Sequence, residues 1–178
     1  HVFIDEILKE NNLAVDDLEA IAVSKGPGSY TGLRIGVSTA KGLCFSLNIP
    51  LISIATLASL AAQVELKKGF VIPMLDARRM EVYSTVFDEN LKEIRETKAE
   101  VLDENSFTDY LEKDKIVFIG SGVEKFKAIC THSNAEFILD KLPSAKEMCS
   151  LAEAKYKISD TEDVAYFEPY YLKDFIAG

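Results

Sequence analysis

The stretch that most constrains this chain runs over residues 20–54, AIAVSKGPGSYTGLRIGVSTAKGLCFSLNIPLISI. The apolar run 21–23 is consistent with a buried strand, and it enters a glycine-rich loop, Gly26-Pro27-Gly28-Ser29-Tyr30-Thr31-Gly32. A long helical pattern follows, and Pro50 then introduces a second apolar run at 51–54. Strand, loop, helix and strand in that order predict one right-handed crossover unit of a parallel sheet.

The loop matches neither common phosphate fingerprint. No lysine follows Gly32 as a Walker loop requires, and the third glycine comes one residue late for the dinucleotide pattern. What remains is a helix N-terminus with free backbone N–H groups. Gly26, Gly28, Ser29 and Thr31 are the candidate anion- or nucleotide-contacting residues, with Ser29 or Thr31 as helix cap. The plainer alternative is a tight turn ahead of a capped helix. Within that helix Gly32, Gly36 and Ala40 recur every four residues. Glycine inside a helix costs about 1 kcal/mol against alanine, so the stripe predicts close approach of another backbone. Both a helix of the same chain and a partner would satisfy it.

Further along, AKGL and NIPLISIATLASLA follow the GPGSYTGLRIG motif, with PMLDARRMEVY at 73–83 and EPYYLKDF at 168–175. Together these motifs resemble the TsaB (YeaZ) family, the non-catalytic partners of TsaD in making N6-threonylcarbamoyladenosine on tRNA. The resemblance spans nearly the whole chain but is thin over residues 88–160. It implies a heterodimer with TsaD, with Ile4, Ile7, Leu8, Gly32, Arg34, Gly36, Val37 and Ala40 as interface residues. It further implies TsaE, an ATPase, and TsaC, supplier of threonylcarbamoyl-adenylate, as participants. A homodimer when alone and contact with tRNA only through the complex also follow. No cofactor is expected on this chain alone, with ATP or ADP placed at the complex junction.

The fold class is α/β. The first element is an amphipathic helix, HVFIDEILKENN, whose apolar residues are Val2, Phe3, Ile4, Ile7 and Leu8. By family analogy three antiparallel strands, the first with an Asp-Thr-Ser segment, precede this helix. They are not in the sequence, which predicts an open apolar edge on the strand at 20–24 and a tendency to self-associate. The second half reads directly as three strands (70–75, 81–87, 91–102), helix 106–111, strand 116–119, helix 124–130, strand 136–138 and helix 144–157. Ser144 and Glu147 form a capping box for the last helix. Two such units imply the two-lobed actin, Hsp70 and sugar-kinase architecture of ribonuclease-H-like units, the first lobe lacking its N-terminal three strands. The expected division is 1–67 for the N-terminal lobe, 68–160 for the C-terminal lobe, and an aromatic-rich tail, 161–178, packing back on the body.

Composition weighs against direct RNA binding, because the net charge is −9 and the densest basic cluster is Arg78-Arg79. Three cysteines without close spacing predict reduced thiols in a cytoplasmic protein, and no apolar run is long enough to span a membrane. Catalytic patterns are weak. Asp76 ends a strand, but the strand at 116–119 supplies no second carboxylate for nuclease metals, so Asp76 is expected to pair with Arg78 or Arg79 or to cap the turn. His1 and His132 lack metal-ligand spacing, and no G-x-S-x-G is present, so no catalytic or metal residue is assigned. The competing function is an ATP-binding phosphotransferase or ATPase of the actin-like superfamily.

Overall fold

The computed structural model describes residues 2–173; His1 and residues 174–178, hence the ends of the 168–175 motif and of the 161–178 tail, lie outside the described residues. Helix α1 spans Val2–Glu10 and leaves none of its side chains fully buried. A single 3-10 turn, Val15–Asp17, leads into β1, Ile21–Gly26. Helix α2, Tyr30–Leu47, follows and packs on β1, and β2 covers Leu51–Ala55. β1 and β2 pair in a two-stranded sheet, and the Ile21 N–H donates to the Pro50 carbonyl at 3.0 Å.

The chain divides into two compact units. The first runs through Ile54 and takes in Met148–Tyr170. That returning segment is tied on by polar contacts from end to end. Glu162 N–H donates to the Leu51 carbonyl at 2.8 Å, while its carboxylate accepts from the buried Ser53 hydroxyl. The Lys41 ammonium donates to the carbonyls of Ala165 (3.1 Å) and Phe167 (2.8 Å), and Tyr170 N–H donates to Lys25 O at 2.7 Å. Val164 and Phe167 pack on Ala40, Cys44 and Leu51, so some of the tail's apolar surplus is spent on this core. Burial pushes the Cys44 thiol upward in pKa, and a backbone hydrogen bond from Ile21 partly opposes the shift.

The second unit runs from Ala55 to Glu147 and resumes at Tyr171. It begins with α3, Thr56–Ala61, then β3 (Phe70–Asp76), β4 (Glu81–Asp88) and β5 (Glu93–Val101). α4 (Thr108–Leu111), β6 (Ile116–Ile119), α5 (Val123–Lys127) and β7 (Ala135–Ile138) complete it, and α6 (Ala145–Lys157) leads out of it. The sheet order is β5-β4-β3-β6-β7; β3/β4 and β4/β5 are antiparallel, β3/β6 and β6/β7 parallel. The fold is thus mixed α/β around a mixed sheet.

Alternation along the central strands explains why both sheet faces are covered. Ile72, Met74, Ile116 and Phe118 point to one core with Phe107 and Phe126, whereas Val71 and Ile119 point to another with Leu60 and Ala61 of α3. That packing puts α3 in the second unit and the division at residues 54–55, upstream of the Lys67–Lys68–Gly69 breaker. β5 begins at Glu93 rather than 91, because Leu91 occupies a left-handed turn position (φ 59°) after Asp88. Its run EIRETKAEV, at the sheet edge, is studded with charges, which discourages edge pairing. Ser144 and Glu147 pair at the start of α6, but not through the reciprocal backbone bonds of a capping box: the Ser144 hydroxyl hydrogen-bonds the Glu147 carboxylate and accepts from Lys146 N–H at 3.2 Å.

Candidate functional site

Helix α2 is where the sequence placed most of its candidate residues, and its two faces differ sharply. Ser29 is the N-cap, its hydroxyl accepting from Gly32 N–H at 3.3 Å, and Asn48 closes the helix in a left-handed conformation (φ 54°). Leu33, Val37, Ala40 and Cys44, at helical spacing, are buried within their own unit. The opposite face carries Thr31, Ile35, Ser38, Gly42 and Phe45, all exposed. Ile35 is 64% and Phe45 84% exposed, flanking the small residues Ser38 and Gly42. A Cβ at Gly42 would meet nothing within 4 Å.

The expected glycine stripe therefore splits. Val37 and Ala40 belong to the chain's own core and offer no surface to a partner; this corrects their assignment as interface residues. Gly36 is half-buried and faces Val23 of β1, whose Cγ2 would lie 3.9 Å from an added Cβ. Gly32 and Arg34 are exposed, and the Arg34 guanidinium sits 5.3 Å over the Tyr30 ring. On α1, Ile4 and Leu8 are half-buried, whereas Ile7 (59%) and Phe3 (78%) are exposed. Counting every fourth residue from Gly32 selects the inward row. The outward row of large apolar residues, Ile35 and Phe45, was legible as a second i, i+3/i+4 series, but nothing in the sequence says which row faces out.

The loop before α2 is only partly open. Gly26 is buried at φ 110°, and an added Cβ would lie 2.7 Å from the Tyr170 carbonyl, so Gly26 serves the chain's own packing. Gly28, Ser29 and Thr31 remain exposed.

In the second unit the β3–β4 turn draws attention. Asp76 accepts the Arg78 N–H at 2.6 Å and pairs with the Lys125 ammonium at 3.0 Å, so it caps the turn and its ionic partner is Lys125. Desolvation raises the Asp76 carboxyl, but the Arg78 and Lys125 hydrogen bonds and the Lys125 charge outweigh it and hold the group below the usual value. Arg78 and Arg79 both occupy left-handed backbone (φ 73° and 47°), at a cost of roughly 1–2 kcal/mol per residue for side chains other than glycine. Elsewhere, His132 Nδ1 accepts from Asn134 N–H at 3.1 Å at an exposed turn. Among the described residues no group of three or more His, Cys, Asp or Glu side chains is arranged to hold a metal, and no helix is long and apolar enough to cross a membrane.

The fold and this surface define a mixed α/β protein whose first unit displays apolar side chains on two helices. Two Pseudomonas aeruginosa structures share the fold: a protein described as similar to peptidase YeaZ (TM-score 0.84, 96% of this chain and 81% of that one) and YeaZ itself (TM-score 0.82, 95% and 80%), both 24% identical. The chain belongs to the TsaB family, within the broader family described as TsaD: tRNA N6-adenosine threonylcarbamoyltransferase, whose model matches residues 1–177. The tRNA threonylcarbamoyladenosine biosynthesis protein TsaB of Haemophilus influenzae is 33% identical over 96% of this chain and 77% of its own length. That of Escherichia coli is 30% identical over 98% and 79%. A tRNA N6-adenosine threonylcarbamoyltransferase of Bacillus thuringiensis is 40% identical over 42% of this chain and 22% of its own length.

Proposed function

We propose that this chain is a non-catalytic subunit that heterodimerises with a TsaD-type threonylcarbamoyltransferase in the N6-threonylcarbamoyladenosine modification of tRNA. The observation that carries the reading is the outward face of α2. A helix that buries Leu33, Val37, Ala40 and Cys44 on one side has no internal use for a bare Ile35 and Phe45 on the other. Small residues between them, Ser38 and Gly42, admit a second helix at close range. Phe3 and Ile7 of α1 extend the apolar supply of the same unit, with Arg34 and Gly32 near the start of α2. The family names support the choice of partner.

The same proposal includes TsaE and TsaC as participants, tRNA engaged through the complex, a cytoplasmic setting, and self-association through this face when TsaD is absent. ATP or ADP is assigned to the complex junction rather than to this chain, where Gly28, Ser29 and Thr31 are the loop residues left open. The element order of the second unit, three strands then alternating helix and strand, supports a ribonuclease-H-like unit and a two-lobed actin-like plan. That plan takes the lobes as 1–67 and 68–160 with 161–178 as a tail, limits that differ from those of the compact units, which divide at residues 54–55.

Phe45→Asp tests the proposal. Its ring is almost wholly in solvent, so the variant should melt as the parent does and lose heterodimer formation with TsaD, by roughly a hundredfold or more in Kd, read by light scattering after size exclusion. Unchanged affinity with an unchanged melt would overturn the assignment of this face.

A further inference from the structure

The β3–β4 turn stores backbone strain without the compensation found elsewhere in the molecule. Other non-glycine residues at positive φ are short polar ones (Asn12, Asn48, Asp140, Ser159) or, like Leu91 and Phe107, are packed against a core. Arg78 and Arg79 are neither. They are the one consecutive pair at positive φ among the described residues, and both side chains are exposed. The scaffold beneath them is tied down: Ala77 N–H donates to Glu81 O (3.0 Å), Glu81 N–H to Arg78 O (3.0 Å), Asp76 N–H to Ser121 Oγ (3.2 Å). Glycine or asparagine would hold this turn more easily, so the two guanidiniums are kept at a cost.

The ionic arrangement around the turn leaves those guanidiniums open. The Asp76 carboxylate is engaged by Lys125, and the Glu81 carboxylate by Lys173. Neither Arg78 nor Arg79 is in an ion pair among the described residues. In a chain of net charge −9, any contact with a polyanion must be local, projecting, and free of internal carboxylates. Planar guanidiniums pair bidentately with phosphate oxygens.

We infer that the Arg78–Arg79 turn is a phosphate-backbone contact for RNA, which this chain makes as part of the assembled modification complex. The inference rests on the proposed function for the choice of RNA as the polyanion. It adds an RNA-facing element on this subunit itself, whereas the overall charge argues against autonomous binding. Two phosphate contacts position the RNA without reading its sequence.

The test uses the heterodimer and an unmodified tRNA transcript, with binding followed by fluorescence anisotropy across a salt series. Arg78→Gly/Arg79→Gly keeps residues suited to positive φ while removing both cations, so the turn survives. Expected are roughly tenfold weaker tRNA binding at low salt and a salt slope shallower by about 1.5, since each phosphate that goes unneutralised removes roughly 0.7–0.9 from the slope. Arg78→Lys/Arg79→Lys should recover most of the slope. Unchanged tRNA affinity in a heterodimer of normal stoichiometry would overturn the inference. So would unchanged tRNA affinity with weakened heterodimerisation, which would mean that an acidic protein surface takes the turn. If the unaltered chain forms no heterodimer, the proposed function fails and the inference, which is of a contact made in that assembly, is overturned with it; a heterodimer of normal stoichiometry with unchanged tRNA affinity overturns the inference alone.

Discussion

Gly120 shows how a single residue can hold a site together from outside it. At φ 122° an added Cβ would lie 2.3 Å from the Met74 carbonyl and 2.6 Å from Leu60 Cδ2. The neighbouring Ser121 hydroxyl accepts Asp76 N–H, and Gly122 N–H donates to Met74 O at 3.0 Å, so the turn after β6 is laid directly against the end of β3. Gly120→Ala should cost about 3 kcal/mol, combining an unfavourable backbone with a steric clash; the midpoint of urea denaturation checks it. The residues of the β3–β4 turn are visible in the sequence as LDARRM, where Asp76 is expected to pair with Arg78 or Arg79 or to cap the turn; it caps the turn, and neither arginine is its ionic partner. Its ionic partner was not visible, because Lys125 lies 49 positions downstream and reaches Asp76 only through the β3/β6 pairing that brings α5 close. Arg95 is a similar case. Its pairing with Glu100, at 2.6 Å, and its stacking on Phe107 depend on a register irregularity between β4 and β5 that no local pattern encodes.

At the scale of elements, α2 carries the clearest lesson. Its existence, a cap at Ser29 or Thr31 and its end before Pro50 followed from local chemistry, and the structure selects Ser29 as the cap. Its orientation did not, since two rows of residues at helical spacing were each apolar or small enough to face inward. The neighbours decide: Ile21, Val23, Ile49, Val164 and Phe167 surround Ala40 and Cys44, leaving Gly42 over open space. Gly42→Ala should therefore stabilise the chain by about 0.5–1 kcal/mol through helix propensity alone, measured by denaturant titration. A drop in stability there would mean that the outward row is packed in solution by a second copy. The stripe Gly32, Gly36, Ala40 predicted close approach of another backbone, and at the two glycines the structure does not show it: an added Cβ at Gly36 would meet only the Val23 side chain at 3.9 Å, an ordinary contact, and one at Gly32 only Ser29 of the helix's own cap.

For the whole molecule, the returning segment after α6 matters more than its sequence suggests. Leu51 and Ser53 of β2, Lys25 beside Gly26, and Lys41 on α2 are all bound by residues 162–170. Removal of residues 161–178 should lower stability by about 4 kcal/mol, from exposure of the core that Phe167 and Val164 cover and from the stranded Lys41 donors. Thermal denaturation of the truncated chain reads this directly, and a change below about 1 kcal/mol would show the segment to be a loosely held strap.

The sequence by itself determined the succession of strands and helices, a cap at Ser29 or Thr31 and another at Ser144, the α/β class and, through its motifs, the family. These rest on periodicity and short-range hydrogen bonding, which neighbouring residues settle among themselves. The tertiary structure alone decided which row of α2 faces solvent, that α3 joins the second unit, and that Lys125 neutralises Asp76 while Arg78 and Arg79 stay outside any ion pair among the described residues. Those outcomes depend on contacts between residues tens of positions apart, where burial and charge pairing outweigh local preference.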